Sequence, residues 1–363
     1  KVGKDLKIGL LGGGQLGMMM IESAKELNID VIVFEQEQPC PAERVCNKII
    51  YANYFDKAAL NSFGKQCDVF TVESENIPLD ALRYLSQFGE LIPKLESIEI
   101  FQDRIKEKNY LKKLDLPVVP CIPILATSQQ VPNIKNYFPG ILKTAKNGYD
   151  GKGQRLVNSE VELWGSFDNF GGVPCILEKK VPLDMELSII SARGVDGEMS
   201  SYPLAENKHE NGILVDSIMP ANISNEIVRQ ASDYAVKIAD DLKYSGVFCI
   251  EFFVCNEELL INEIAPRPHN SGHQTIVACD CSQFEQQVRV CAKLPLGETK
   301  LSGRAKLHNL LGDIWFVNNG VEKIVEPDWQ EYRSKGLLIK LYGKSKVKKG
   351  RKMGHLIDYE KFK

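Results

Sequence analysis

GVFCIEFFVCNEELLINEIAPRPHNSGH, residues 246–273, contains two apolar runs, GVFCIEFFVC and ELLINEIAP, on either side of the polar turn Asn256–Glu258. Short apolar runs bounded by a polar turn read as an antiparallel hairpin. With residue 257 at the centre of the turn, paired residues sum to 514 and Glu251 falls opposite Glu263. Like charges facing each other across strands repel, so something should neutralise them. Two solvated glutamates would be the plain reading of an arbitrary hairpin, but Glu251 lies in an almost wholly apolar run. A hard divalent cation with oxygen ligands would balance the pair, and Mg2+ carrying nucleotide phosphates is the common case. Glu251 and Glu263 are therefore the expected metal ligands.

Upstream, GILKTAKNGYDGKGQ ends a strand at Lys143 and continues into a loop with Gly148, Gly151 and Gly153. A lysine beside a mobile glycine loop can clamp phosphates, because exposed backbone amides bind anions. Tyr149 and Asp150 at the tip could reach a second substrate. CILEKKVPLDMELSII reads as strand, connector, strand: the connector Glu178–Val181, including Lys179, could offer backbone groups to an adenine edge, and Glu186 could hold ribose hydroxyls. By itself this motif reads as a solvated charged turn.

IGLLGGGQLGMM, residues 8–19, raises a rival reading. Gly12, Gly14 and Gly17 fit G-x-G-x-x-G between a strand (Ile8, Leu10, Leu11) and a helix face (Leu16, Met20, Ala24, Leu27), and VIVF ends at Glu35, where an acidic residue would hold a ribose. That pattern suits an NAD-dependent oxidoreductase, a different class of function. The glutamate pair is unexplained by it.

The 363 residues are long enough for two or three domains, and a net charge of −3 gives no global signal for nucleic acid. No apolar run approaches the roughly 18 residues of a membrane helix. KVGKDLKIGLLGG lacks the pattern of a signal peptide, so a cytoplasmic setting is expected. The ten cysteines are scattered without C-x-x-C and read as free thiols. His269, His273, Cys279 and Cys281 could be drawn as a zinc site, yet paired histidines beside an arginine and an asparagine suit anion binding as well, and no zinc site is adopted. Residues 1–97 alternate strands and helices, which predicts a parallel sheet. SIEIFQDRIKEKNYLKKLDL (97–116) reads as one long helix. Residues 117–297 change to an α+β pattern with one helix, EIVRQASDYAVKIADDL, and 298–363 is β-rich with the basic tail KLYGKSKVKKGRKMGH.

Taken in order, GGGQLGMM, FTVESENIP, FQDRIKEK, NGYDGKGQ, NEIAPRPHNSGH and YGKSKVKKGRKMGH resemble the ATP-grasp superfamily, and more narrowly its N5-carboxyaminoimidazole ribonucleotide synthetase family, over essentially the whole chain. One departure is that three methionines follow the glycine loop where an arginine is expected among them. The resemblance implies an α/β and α+β architecture: a Rossmann-like pre-ATP-grasp domain (1–97), an ATP-grasp domain (98–297) and a small C-terminal β-rich domain (298–363). It implies ATP-dependent carboxylation of 5-aminoimidazole ribonucleotide with bicarbonate through carboxyphosphate, in purine biosynthesis, with ATP and Mg2+, no nucleic acid or membrane partner, and a homodimer. It assigns ATP to Arg104, Lys143, Gly148, Gly151, Gly153, Glu178, Lys179, Val181, Glu186, His209, Asn262 and Glu263. The ribonucleotide would lie against Gln15, Leu16 and Glu75, with its phosphate on Lys344 and Arg351. Tyr149, Asp150, Arg267, His269 and Asn270 would surround the reacting amine and the carboxyl donor. Arg267 would stabilise the carboxyphosphate; His269 would take the amine's proton or only orient it, and Asp150 is the other candidate base. Within the superfamily, a formate-dependent glycinamide ribonucleotide transformylase shares the glycine loop, paired glutamates and basic tail.

Overall fold

Lys7–Leu11, the strand before the glycine loop, pairs in parallel with Asp30–Glu35 and with Val69–Val72, and Lys48–Tyr51 and Glu90–Leu91 complete a five-stranded parallel sheet. The computed structural model describes residues 1–318, 320 and 322–363. Lys48–Tyr51 and Glu90–Leu91 are additions to the expected strands, too short to carry a pattern of their own. The sheet is apolar on both faces, as a parallel sheet covered by crossover helices must be. Leu11, Phe34, Phe70 and Val72 pack under the helices Lys57–Gly64 and Leu79–Leu85. Ile8, Leu10, Val33 and Val69 face the helix Gln15–Glu26 and a helix from far along the chain, Gln283–Cys291, which no sequence pattern announced. Buried Gln287 on that helix donates to Thr71 Oγ1 (2.9 Å) and accepts from the Val247 amide (2.6 Å), locking the glutamate hairpin to this sheet.

The helix expected over 97–116 is two helices, Leu95–Phe101 and Arg104–Lys113. Asp103 breaks it, because its carboxylate accepts from the amides of Ile105 (2.9 Å) and Lys106 (3.3 Å) and so caps the second helix. The break sets Arg104 on the first turn, with its amide donating to the Ala145 carbonyl (2.8 Å).

Two antiparallel sheets follow. The smaller has four strands in the order Cys121–Ile124, Cys175–Lys179, Gly140–Thr144, Gln154–Val157, backed by the helix Glu160–Asn169 through Leu163 and Phe167. The larger has nine strands and begins at the hairpin Gly246–Cys255/Glu258–Ala265, followed by Met185–Arg193, Ala205–Glu210 and Ile213–Met219. The expected helix, Asn225–Asp241, buries Ile227, Ala231, Ala235 and Ile238 on one face against Leu187, Ile189, Ile250 and Phe252. The C-terminal strands Gly303–Leu311, Lys352–Lys361 and Leu338–Leu341 extend this same sheet, since Gly303–Leu311 pairs with Ile213–Met219. The two antiparallel sheets are joined where the Ile261 amide donates to the Pro117 carbonyl (2.8 Å). No helix among the described residues is long and apolar enough to cross a membrane.

Candidate active site

Glu251 and Glu263 are directly paired across the hairpin. The turn itself is Asn256–Glu257, both at positive φ (50° and 65°), so near the turn Phe252 meets Ile261 and Cys255 meets Glu258. A bulge at Asn262 restores the pairing of the two glutamates. Burial pushes the Glu251 carboxyl up to about 7, and the facing Glu263 adds to it. The Asn262 side-chain oxygen is buried with no hydrogen-bond partner. Two carboxylates and an orphaned amide oxygen form the oxygen-only donor set that suits Mg2+. Among the described residues no three His, Cys, Asp or Glu side chains converge as a metal site, so phosphate oxygens would have to complete the shell.

The residues expected to hold the nucleotide lie between the two antiparallel sheets. Lys143 Nζ reaches Glu178 Oε2 at 2.6 Å. Burial opposes the Glu178 charge, but Lys143 and Lys108 outweigh it and bring the carboxyl to about 2. In the connector, the Lys179 and Lys180 amides donate to the Pro120 and Pro139 carbonyls, whereas the Val181 amide donates to no acceptor among the described residues and is free for an adenine edge. His209 Nδ1 pairs with Glu186 Oε2 (2.7 Å) and its Nε2 lies 3.7 Å from Glu251, so the expected ribose ligand and metal ligand share one imidazole. Burial alone would lower the His209 pKa, but Glu186 and Glu251 raise it. Arg104 stands 3.5 Å from Glu263, and its guanidinium borders Gly148. Gly151, at φ +76°, lets the loop tip press on the Asn211–Gly212 turn, where a Cβ would come 2.3 Å from the Asn211 carbonyl oxygen.

Beyond the metal pair, Arg267 grips Glu75 through Nε (2.5 Å) and one terminal nitrogen (3.2 Å). Burial opposes the Glu75 charge, yet the guanidinium wins and holds its carboxyl below the usual range. His269 Nδ1 accepts from the Ser271 amide (3.2 Å) in the tautomer with its proton on Nε2, 3.7 Å from Glu251. Burial drives the His269 pKa well down. A neutral imidazole protonated on Nε2 can orient and donate; in the other tautomer, with Nδ1 donating to Ser271 Oγ (2.8 Å), Nε2 is free to accept a proton. Asn270 is tied by a reciprocal amide pair to Asn309 (3.1 and 2.6 Å). The four zinc candidates do not converge: His273 packs against His355 and Phe284, Cys279 points to the Thr299 carbonyl and Cys281 to that of Ser282.

The basic tail closes the site from the other side. Lys344 donates to the Lys352 carbonyl (2.7 Å), and burial followed by repulsion from Arg351 and Lys352 lowers it to about 8. A cluster of cations that repel one another is an anion site in waiting. Lys352 Nζ meets Asp150 Oδ1 at 2.7 Å, joining the tail to the tip of the glycine loop; neighbouring Tyr149 is exposed and stacks under Lys152. Gln15 and Leu16 open the first helix, half-buried beside the loop.

That first glycine loop is already filled by the protein. Glu73 accepts from the Gly14 and Gly17 amides (2.8 Å each), and Glu35 from the Gly13 amide (2.6 Å). A Cβ on Gly12 would come 2.3 Å from Glu73 Cγ, and one on Gly14 2.7 Å from its Oε1. The glycines make room for the chain's own carboxylate, so the amides a dinucleotide pyrophosphate would need are taken, and Glu35 is a strand-end cap. This removes the basis of the NAD reading. Glu73→Ala is expected to cost about 2–3 kcal/mol in urea unfolding, because two amides lose their acceptor. A loss within error would mean that water replaces the carboxylate.

The profile of the ATP-grasp domain matches residues 109–284, that of the ribonucleotide synthetase preATP-grasp domain residues 6–102, and that of the phosphoribosylaminoimidazole carboxylase C-terminal domain residues 305–358. The N5-carboxyaminoimidazole ribonucleotide synthase of Bacillus subtilis is 40% identical over 351 residues, 96% of this chain and 90% of that one. The chain belongs to the N5-carboxyaminoimidazole ribonucleotide synthase family. The Staphylococcus aureus synthetase complexed with ADP superposes with a TM-score of 0.89 at 36% identity, covering 99% of this chain and 94% of that one. The Aspergillus clavatus synthase in complex with ADP and 5-aminoimidazole ribonucleotide superposes with a TM-score of 0.84 at 28% identity, covering 98% and 94%.

Within this synthase fold, sequence reasoning passed over Lys108, Lys352 and Glu73. Lys352 follows Arg351 directly at the start of a strand, where successive side chains point to opposite faces; the charge run shows both and ranks neither. Glu73 lies two residues before Glu75 in FTVESENIP, and only the folded loop shows that the first of these acids caps amides. Also unforeseen is the buried chain Ser271–Ser188–Asn207–Ser217–Gln274 beneath His269, with links of 2.7–2.9 Å.

Proposed function

We propose that the chain carboxylates the exocyclic amine of 5-aminoimidazole ribonucleotide, using ATP and bicarbonate by way of carboxyphosphate. The products are N5-carboxyaminoimidazole ribonucleotide, ADP and phosphate, a step of purine (IMP) biosynthesis. The observation that carries the reading is the Asp150–Lys352 ion pair, which brings the phosphate-clamping loop and the cationic tail into one cleft. Phosphoryl transfer is chiefly positioning and charge neutralisation. Mg2+, held by Glu251, Glu263 and Asn262, would supply the neutralisation; Lys143 and Arg104 would orient the phosphates. Arg267, already aligned by Glu75, would present its remaining N–H groups to the carboxyphosphate. When the amine nitrogen bonds to the carboxyl carbon and phosphate leaves, the amine's proton would pass to Asp150. Loop closure over the Asn211–Gly212 turn would keep water from the labile mixed anhydride. Lys344 and Arg351 would hold the ribonucleotide's phosphate. Ten free cysteines, most of them buried, suit a cytoplasmic setting, and family membership carries the expectation of a homodimer.

The test is ADP release in a coupled assay with ribonucleotide, bicarbonate and Mg2+ omitted in turn, under CO2-purged buffer. Dependence on all three, with label from bicarbonate in the product, supports the reading. ADP release that requires formate and glycinamide ribonucleotide instead would replace it with the transformylase.

A further inference from the structure

A buried charge cluster lies behind the nucleotide side, and one of its members has no role in the reaction as described. Lys108, on the helix Arg104–Lys113, has a side chain only 2% exposed. Its ammonium lies 3.6 Å from Glu178 Oε1 and 3.7 Å from Glu107 Oε1, and it donates to the Asn262 carbonyl at the bulge beside Glu263. Glu107 is itself anchored, since its other oxygen accepts from the Ile264 amide (2.9 Å). Glu178 thus divides its oxygens between two lysines: Oε1 faces Lys108, which has no path to solvent, and Oε2 holds Lys143, at the edge of the cleft.

Lys143 has two claims on its single charge. To bind nucleotide phosphates it must turn that charge away from Glu178, and a buried carboxylate deprived of its partner is strongly unfavourable. We propose that Lys108 is a positioning residue for nucleotide binding: it is the counter-ion that stays with Glu178 when Lys143 turns to the phosphates. Through the Asn262 carbonyl the same ammonium keeps the metal-side bulge in register with the nucleotide side. The proposal rests on the reading of Lys143 as a phosphate ligand.

Its test is calorimetric titration of the full chain with Mg2+ and ADP, together with KM values for ATP and for the ribonucleotide. Lys108→Gln, which retains a donor for the Asn262 carbonyl but no charge, is expected to weaken ADP binding and raise the KM for ATP by about tenfold or more, with the KM for ribonucleotide within about twofold. If that variant fails to fold, Lys108→Met is read in the same way. In Lys108→Gln/Glu178→Gln the Glu178 carboxylate is no longer there to be stranded, and Glu107, which is common to both single variants and keeps the Ile264 amide, faces away from the nucleotide side, so ADP affinity should return to within about threefold of Glu178→Gln alone. A purely structural lysine would lower the unfolding midpoint without this rescue. Wild-type affinity in Lys108→Gln, or losses that add in the double variant, would overturn the Lys108 assignment alone. Unchanged affinity in Lys143→Met would overturn it together with the phosphate-clamp reading.

Discussion

Glu251→Gln is expected to reduce ADP formation by about a thousandfold and, at pH 8, to make the nucleotide-free protein more stable than wild type. The loss follows from removing one of two carboxylates expected to carry the metal, whose charge neutralisation has no substitute in phosphoryl transfer. The gain follows from the pairing. Glu251 lies opposite Glu263, and burial, helped by that neighbour, raises its carboxyl from an unfolded value of 4.5 to about 7. Between those two values the folded protein holds a proton that the unfolded chain has released, so stability falls as pH rises through this window. Above about pH 7 the full penalty applies, of order 3 kcal/mol. Glutamine has the shape without the charge, so the variant should match wild type at pH 4.5 and exceed it at pH 8 in urea or thermal unfolding. Saturating Mg2+ and ADP should reverse the ranking, because only wild type gains from the cation. A variant less stable than wild type at pH 8 would show that the pair is not repulsive in the folded state. Retained turnover would move the metal elsewhere.

The same pair shows how far sequence reasoning reaches. Antiparallel arithmetic puts Glu251 opposite Glu263 from a turn centred on residue 257, whereas the actual turn is Asn256–Glu257 and the extra residue is Asn262. Two one-residue offsets cancel. Alternation and turn residues are local and therefore legible, but a bulge is decided by what lies beneath the strand, here the Lys108 ammonium on the Asn262 carbonyl. The parallel sheet was readable for the same reason as the hairpin: its strands are continuous apolar runs. Helix Gln283–Cys291 was not, because the face it covers belongs to strands more than two hundred residues earlier. The long helix at 97–116 failed at Asp103, where a cap residue inside a helical pattern announces a break only once something, here the Ala145 carbonyl, fixes the next turn. The motif residues shared with the family located the candidate site; Lys108, Lys352 and Glu73 sit inside the same motifs, but only the folded chain shows what each of them touches.

Arg267→Lys is expected to lower turnover by about 10²–10³-fold while leaving the KM for ATP within about threefold, because a lysine cannot span both Glu75 oxygens and still present a donor to an oxyanion. Arg267 comes just after the hairpin, and Glu75 comes from FTVESENIP at the end of a strand of the parallel sheet, so this fork also clamps one part of the fold to another. Clamp and catalyst are separable by their different debts to Glu75. Arg267→Met strands a buried carboxylate and should cost about 3–5 kcal/mol of stability. In Arg267→Met/Glu75→Gln that charge is gone, so the unfolding free energy should recover most of the loss. Turnover should not recover, since the guanidinium assigned to the carboxyphosphate is gone. If the double variant regains both, Arg267 is only a clamp, and the stabilising charge must come from Lys352 or Arg104. If it regains stability alone, the Glu75 carboxylate is there to aim a catalytic guanidinium, and the link between sheet and hairpin follows from that aim.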